Sequence, residues 1–67
     1  MNNIGKIIRE ERLNKNMKQE ELAQLIGVTQ DSISLWENGK RIPDTQYIIL
    51  LCKALDISAD YLLGLED

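Results

Sequence analysis

Apolar residues recur along this chain at spacings of three and four, and no stretch sustains the period-two alternation of a half-buried strand. The pattern predicts an all-α chain of five short helices. In the first, Ile4, Ile7 and Ile8 share a face, Asn3 stands where an N-cap belongs, and the helix ends around Asn14 to Asn16, where Asn tolerates the left-handed conformation. Gly5 inside that helix costs about 1 kcal/mol relative to Ala, which points to a close contact with another helix. The second helix covers roughly Gln19 to Ile26, with Leu22, Leu25 and Ile26 inward and Glu20 and Glu21 in the positive first turn, and Gly27 stops it.

Thr29 is a good N-cap for a third helix running to about Asn38, in which Ile33 and Trp36 at i, i+3 face the core. Gly39 then offers a left-handed exit, and Pro43 forbids continuation. Asp44 caps a fourth helix whose Ile48, Leu51, Cys52 and Leu55 follow the i, i+3, i+4, i+7 spacing. Ser58 caps a short fifth, with Ile57 and Leu62 as a hydrophobic staple and Gly64 as the stop. The second and third helices are joined only by Gly27, Val28 and Thr29, too short a link for side-by-side packing but suited to a steep crossing. Ala23 lets the two backbones approach, and Val28 fills the corner. A helix-turn-helix has this shape, its second helix entering the DNA major groove while its first crosses the phosphate backbone.

Composition narrows the function. Residues 1–67 make one domain, and a chain this short buries only about 60% of its unfolded surface. It is 43% apolar and 28% charged, the range of soluble globular proteins. No apolar run approaches the roughly 18 residues of a membrane span and the start lacks a signal-peptide pattern, so no membrane and a cytoplasmic location are expected. Cys52 is the only cysteine and there is no histidine, which excludes an intrachain disulfide, a zinc site and a Ser/Cys–His pair. With the carboxylates scattered over helix surfaces, no enzyme, cofactor, metal or small-molecule ligand is expected. The net charge of -3 is unevenly spread. Residues 1–43 hold seven basic and six acidic side chains, whereas residues 44–67 hold Lys53 against five acids. The N-terminal part is thus free to meet a polyanion.

Ile4-Gly5, Ile8, Arg12, the run KQEELAQLIGVTQDSISLWENGKRIP and the closing ALDISADYLLG resemble the phage-repressor and Cro family of helix-turn-helix domains, often called Xre-like. The likeness spans nearly the whole chain. It implies a compact five-helix, lambda-repressor-like domain with a recognition helix at about Gln30 to Asn38. It also implies sequence-specific binding of double-stranded DNA at an operator, usually as a homodimer, and an Arg12–Glu37 pair. Lys18 departs from the Ser or Thr that commonly caps the second helix in this family, which weakens the cap and offers a phosphate contact.

Gln30, Asp31, Ser34 and Leu35 lie opposite Ile33 and Trp36 and turn outward together. A polar outward face is ordinarily just solvated; in this motif these four are candidate base readers, Leu35 against thymine methyls and Asp31 against the cytosine amino group. Lys18, Gln19, Asn38, Lys40 and Arg41 are candidate phosphate ligands, although Gln19 is also simply a good helix former in a first turn. Ala23, Gly27, Ile33, Trp36 and the Arg12–Glu37 pair are expected to support the motif, where the plainer reading of that pair is a loose surface contact. Trp36 reads as core rather than a stacking platform, and Cys52 as a small hydrophobe. The six-residue apolar run Tyr47 to Cys52 exceeds one core stripe, leaving Ile49, Leu50, Tyr61 and Leu65 as candidates for a homodimer interface. Two functions compete: a transcriptional regulator, most simply a repressor, and a protein-interaction module such as an antitoxin, whose working surface would be the acidic C-terminal third.

Overall fold

The computed structural model describes residues 3–65. Five helices follow one another: α1 Ile4–Asn14, α2 Gln19–Ile26, α3 Gln30–Glu37, α4 Thr45–Leu55 and α5 Ala59–Leu62, with no strand among the described residues. None of these helices is long and apolar enough to cross a membrane.

Local chemistry sets the helix ends. The Thr29 hydroxyl accepts from the Ser32 N–H at 3.2 Å and that of Ser58 from the Tyr61 N–H at 3.0 Å, each satisfying an orphan donor of a first turn. Asn3 and Asp44 hold the N-cap positions of α1 and α4 without a side-chain cap bond. At the start of α2, Lys18 offers no acceptor, so only half of a capping box forms: the Glu21 carboxylate accepts from the Lys18 N–H at 2.9 Å. Asn16 leaves α1 at φ 57°, as its residue type suggested. Asp56 does the same for α4 at φ 56°, a stop that no glycine announces.

Every helix sends at least one side chain into a single interior. Ile8 of α1, Leu22 of α2, Ile33 of α3, Leu51 and Leu55 of α4 and Leu62 of α5 are completely buried, joined by Ile4, Ala23, Ile26 and Trp36. Full burial of each of these leucines and isoleucines stabilises the fold by about 1.5–3 kcal/mol. Ile57 packs against this core, of which Leu62 is a member. Cys52 is half-buried among the same residues, and burial pushes its thiol pKa up.

Leu25 corrects the sequence reading, since it is exposed rather than inward. The buried arc of α2 runs from Leu22 through Ile26 to Ala23, where α2 packs against α3 and α4, and Leu25 falls beyond the edge of that arc. Gly27, at φ 77°, then turns the chain, and the Val28 N–H closes the corner on the Ala23 carbonyl at 2.9 Å.

α1 meets α3 through Gly5. A side-chain carbon at this position would overlap the Trp36 carbonyl oxygen and lie 2.8 Å from that of Glu37, both of them backbone atoms that no rotamer change can move. The last turn of α3 therefore rests directly on the backbone of α1. We expect Gly5→Ala to destabilise the domain by about 1–3 kcal/mol or more, despite the better helix propensity of alanine. Thermal unfolding checks this, and an unchanged or higher Tm would mean that α1 and α3 separate without cost.

Candidate nucleic-acid interface

The interface builds outward from one buried ion pair. Arg12 on α1 reaches the end of α3, where its Nε donates to Glu37 Oε2 at 2.7 Å and its Nη2 to Glu37 Oε1 at 3.0 Å. This is the bidentate fork that guanidinium and carboxylate geometry favours. The two side chains are only 9% and 3% exposed, so this is no loose surface contact. The third nitrogen, Nη1, donates to the Met17 carbonyl at 2.7 Å and fixes the loop between α1 and α2. Glu37 holds the Arg12 pKa above the ordinary arginine value through this hydrogen bond, against the opposing effect of burial.

Gln19, the first residue of α2, joins the same pair: its Nε2 donates to Glu37 Oε1 at 3.0 Å. Its Oε1 accepts from Gln30 Nε2 at 3.4 Å, linking the first residues of α2 and α3. Neither of these contacts was legible in the sequence, where Gln19 and Glu37 are 18 positions apart and nothing in their residue types marks them as partners.

The other predicted residues take the following places. Gln30 and Asp31 are exposed on the first turn of α3, where the Asp31 carboxylate faces the positive end of the helix dipole. Ser34 and Leu35 are half-buried rather than fully outward. In the loop after α3 the Lys40 and Arg41 N–H groups both donate to the Leu35 carbonyl, at 3.0 and 3.2 Å, after a left-handed turn at Gly39 with φ 75°. Both cationic side chains are exposed and bound by their backbone to the negative end of α3. Asn38 Nδ2 bonds Ser34 Oγ at 3.4 Å, and Lys18 is exposed just before Gln19. Trp36 is buried and meets Tyr47 at a centroid distance of 5.6 Å, an aromatic packing pair. Ile49, Leu50, Tyr61 and Leu65 are exposed and stand apart from these groups on α4, on α5 and just after it. No group of metal-ligating side chains occurs among the described residues.

Comparison with known proteins bears on this arrangement. Residues 8–62 match the family model described as Helix-turn-helix. The chain is 37% identical over 60 residues to repressor protein C2 of Salmonella phage P22, covering 90% of this chain and 28% of that protein. It is 31% identical over 64 residues to the HTH-type transcriptional regulator ImmR of Bacillus subtilis strain 168, covering 96% and 50% respectively. The chain thus spans half or less of the length of either relative. Among solved structures, the P22 c2 repressor in complex with synthetic operator 9T superposes with a TM-score of 0.89 at 35% identity, over 94% of this chain and 96% of that one.

Removing one partner of the buried pair leaves the other charge without compensation. Glu37→Ala should cost about 3–5 kcal/mol, enough to unfold much of a domain this small. The double replacement Arg12→Leu with Glu37→Met should recover most of that loss, because an apolar pair of similar volume carries no desolvation cost. Chemical denaturation of the two variants checks the order. The raised pKa of Arg12 fixes the sign of any pH effect from this residue. Its contribution is fully present below the unfolded arginine pKa and is lost only as pH rises through the still higher folded value.

Proposed function

The chain belongs to the Xre-like helix-turn-helix family of phage repressors and Cro proteins, and from that membership we propose that it is a sequence-specific DNA-binding transcriptional regulator. Its simplest form is a repressor that occupies a palindromic operator as a homodimer. The observation that carries this reading is the mounting of α3. Its first turn is exposed at Gln30 and Asp31, its opposite face is locked into the core by Ile33 and Trp36, and its last turn is held by Arg12. Exposed cations lie beside both neighbouring turns, Lys18 before α2 and Lys40 and Arg41 after α3. The P22 repressor–operator complex of the same fold supports placing α3 in the major groove.

In this arrangement Gln30 bonds adenine N6 and N7, Asp31 accepts from the cytosine amino group, Ser34 serves either kind of partner, and the exposed edge of Leu35 meets thymine methyls. Lys18, Gln19, Asn38, Lys40 and Arg41 hold the phosphates and fix the register. Asp31 lowers affinity for DNA in general through repulsion from phosphates, and so filters out sites that present only acceptors at its position. The exposed apolar residues Ile49, Leu50, Tyr61 and Leu65 supply the two-fold contact, which sets two copies of α3 about 34 Å apart, one turn of DNA.

Two measurements test this. DNA affinity should fall steeply with salt, and Lys40→Ala should reduce that slope by about one while weakening all sequences alike. In site selection from random duplexes, Asp31→Asn should raise overall affinity and relax or switch the preference at one base pair, with about 1–3 kcal/mol of discrimination at stake. No DNA binding at low salt would leave the protein-interaction reading in its place. Sedimentation should show dimers on DNA, and monomers both free and bound would remove the two-fold contact.

A further inference from the structure

The loop between α1 and α2 carries Met17, the one methionine among the described residues, which is bonded to Arg12 through both its N–H and its carbonyl. The Met17 N–H donates to the Arg12 carbonyl at 3.1 Å, and the Met17 carbonyl accepts from Arg12 Nη1 at 2.7 Å. Lys18 and Gln19 follow directly, so the place of Met17 sets where α2 begins. Its half-buried side chain packs against the core, and it also lines a surface cavity of about 290 Å³ together with Glu21, Gln24 and the exposed Leu25. A thioether so placed is open to a small oxidant, and its backbone is part of the frame that holds α3.

A peroxide transfers one oxygen atom to the Met17 sulfur as its O–O bond breaks, and the remaining oxygen leaves as water. The sulfur is oxidised and the peroxide reduced. The sulfoxide is polar where the thioether was apolar. Against the core its oxygen is an acceptor without a donor, which is destabilising. In the cavity it meets the Glu21 carboxylate, a second acceptor that already takes the Lys18 N–H at 2.9 Å. Donors are offered by the Gln24 amide and by water, and a side chain that turns to them leaves the core and pulls on the backbone that Arg12 holds. Cys52 competes poorly for the oxidant, since burial pushes its thiol pKa up and away from the reactive thiolate.

We propose that Met17 is an oxidation site through which peroxides loosen the loop between α1 and α2 and release DNA. The release rests on the DNA-binding function above, whereas the loosening does not.

The whole chain is treated with hydrogen peroxide and followed by peptide mass mapping, by chemical denaturation and by binding to a duplex carrying the site that the wild type selects from random DNA. Gain of an oxygen at Met17 should lower the folded-to-unfolded ratio by about five- to thirtyfold. DNA affinity should fall about tenfold or more, the worth of one hydrogen bond to a charged phosphate. Methionine sulfoxide reductases with their thiol reductant should restore both, and the reductant alone should not. Met17→Leu keeps the apolar volume and the backbone carbonyl, and its affinity should stay at its own starting value through the same treatment. The proposal is overturned if Met17 stays unoxidised while the unfolded chain is converted, or if oxidised Met17 leaves stability and affinity unchanged. Losses that follow Cys52, or that persist in Met17→Leu, overturn it too. Lowered stability with unchanged affinity overturns the release and leaves the DNA-binding function standing. A wild type that selects no site overturns that function, and the release with it.

Discussion

The buried pair between Arg12 and Glu37 is the constraint on which the arrangement of the first three helices depends. A guanidinium has donors on three nitrogens in a rigid fork, and here every nitrogen is used: two on Glu37 and one on the Met17 carbonyl. One side chain thereby ties α1 to the end of α3 and to the loop that leads into α2. Glu37 adds α2 itself by accepting from Gln19. Such a pair adds little net stability over an apolar one of similar volume, but it has direction, and direction is what an apolar contact lacks. The angle of α3 is fixed on its polar side by these bonds and on its apolar side by Ile33 and Trp36.

Close approach is the second constraint, and it depends on what is missing from the side chains. Gly5 brings the backbone of α1 against the carbonyls of Trp36 and Glu37, and Ala23 takes up little room in the buried arc of α2. A larger residue at Gly5 would push the end of α3 away from α1 and from Arg12. Ordered packing around small residues and a directional ion pair thus serve one geometry. The interior is economical, with few side chains fully buried, and α3 enters it through Ile33 and Trp36.

Charge distribution explains how an acidic chain suits the polyanionic partner proposed for it. Most of the acidity lies beyond Pro43, while Lys18, Lys40 and Arg41 are exposed beside α2 and α3. Lys40 and Arg41 owe their position to the Leu35 carbonyl, which accepts both of their backbone N–H groups. Asp31 is comfortable in the free protein at the positive end of α3, and it becomes a cost only where phosphates come near.

The five helices, most of their ends and most core positions were legible in the sequence, because periodicity, capping residues and glycines act locally and carry their own signatures. Thr29, Ser58, Gly27 and Gly39 each announced a boundary through their own chemistry. A tight contact at Gly5 was legible for the same reason, as the cost of a glycine inside a helix asks for a compensation. Leu25 was misplaced because the inward arc of α2 is set by the helices that pack on it, α3 and α4, which periodicity within α2 does not contain. The half-burial of Leu35 and the left-handed Asp56 likewise follow from neighbours rather than from residue type. The Arg12–Glu37 pair was reachable only through family resemblance, and the bonds of Gln19 to Glu37 and Gln30 were not reachable at all. Contacts between residues 25, 18 and 11 positions apart are decided when the helices pack, and only then do ordinary glutamines acquire a direction.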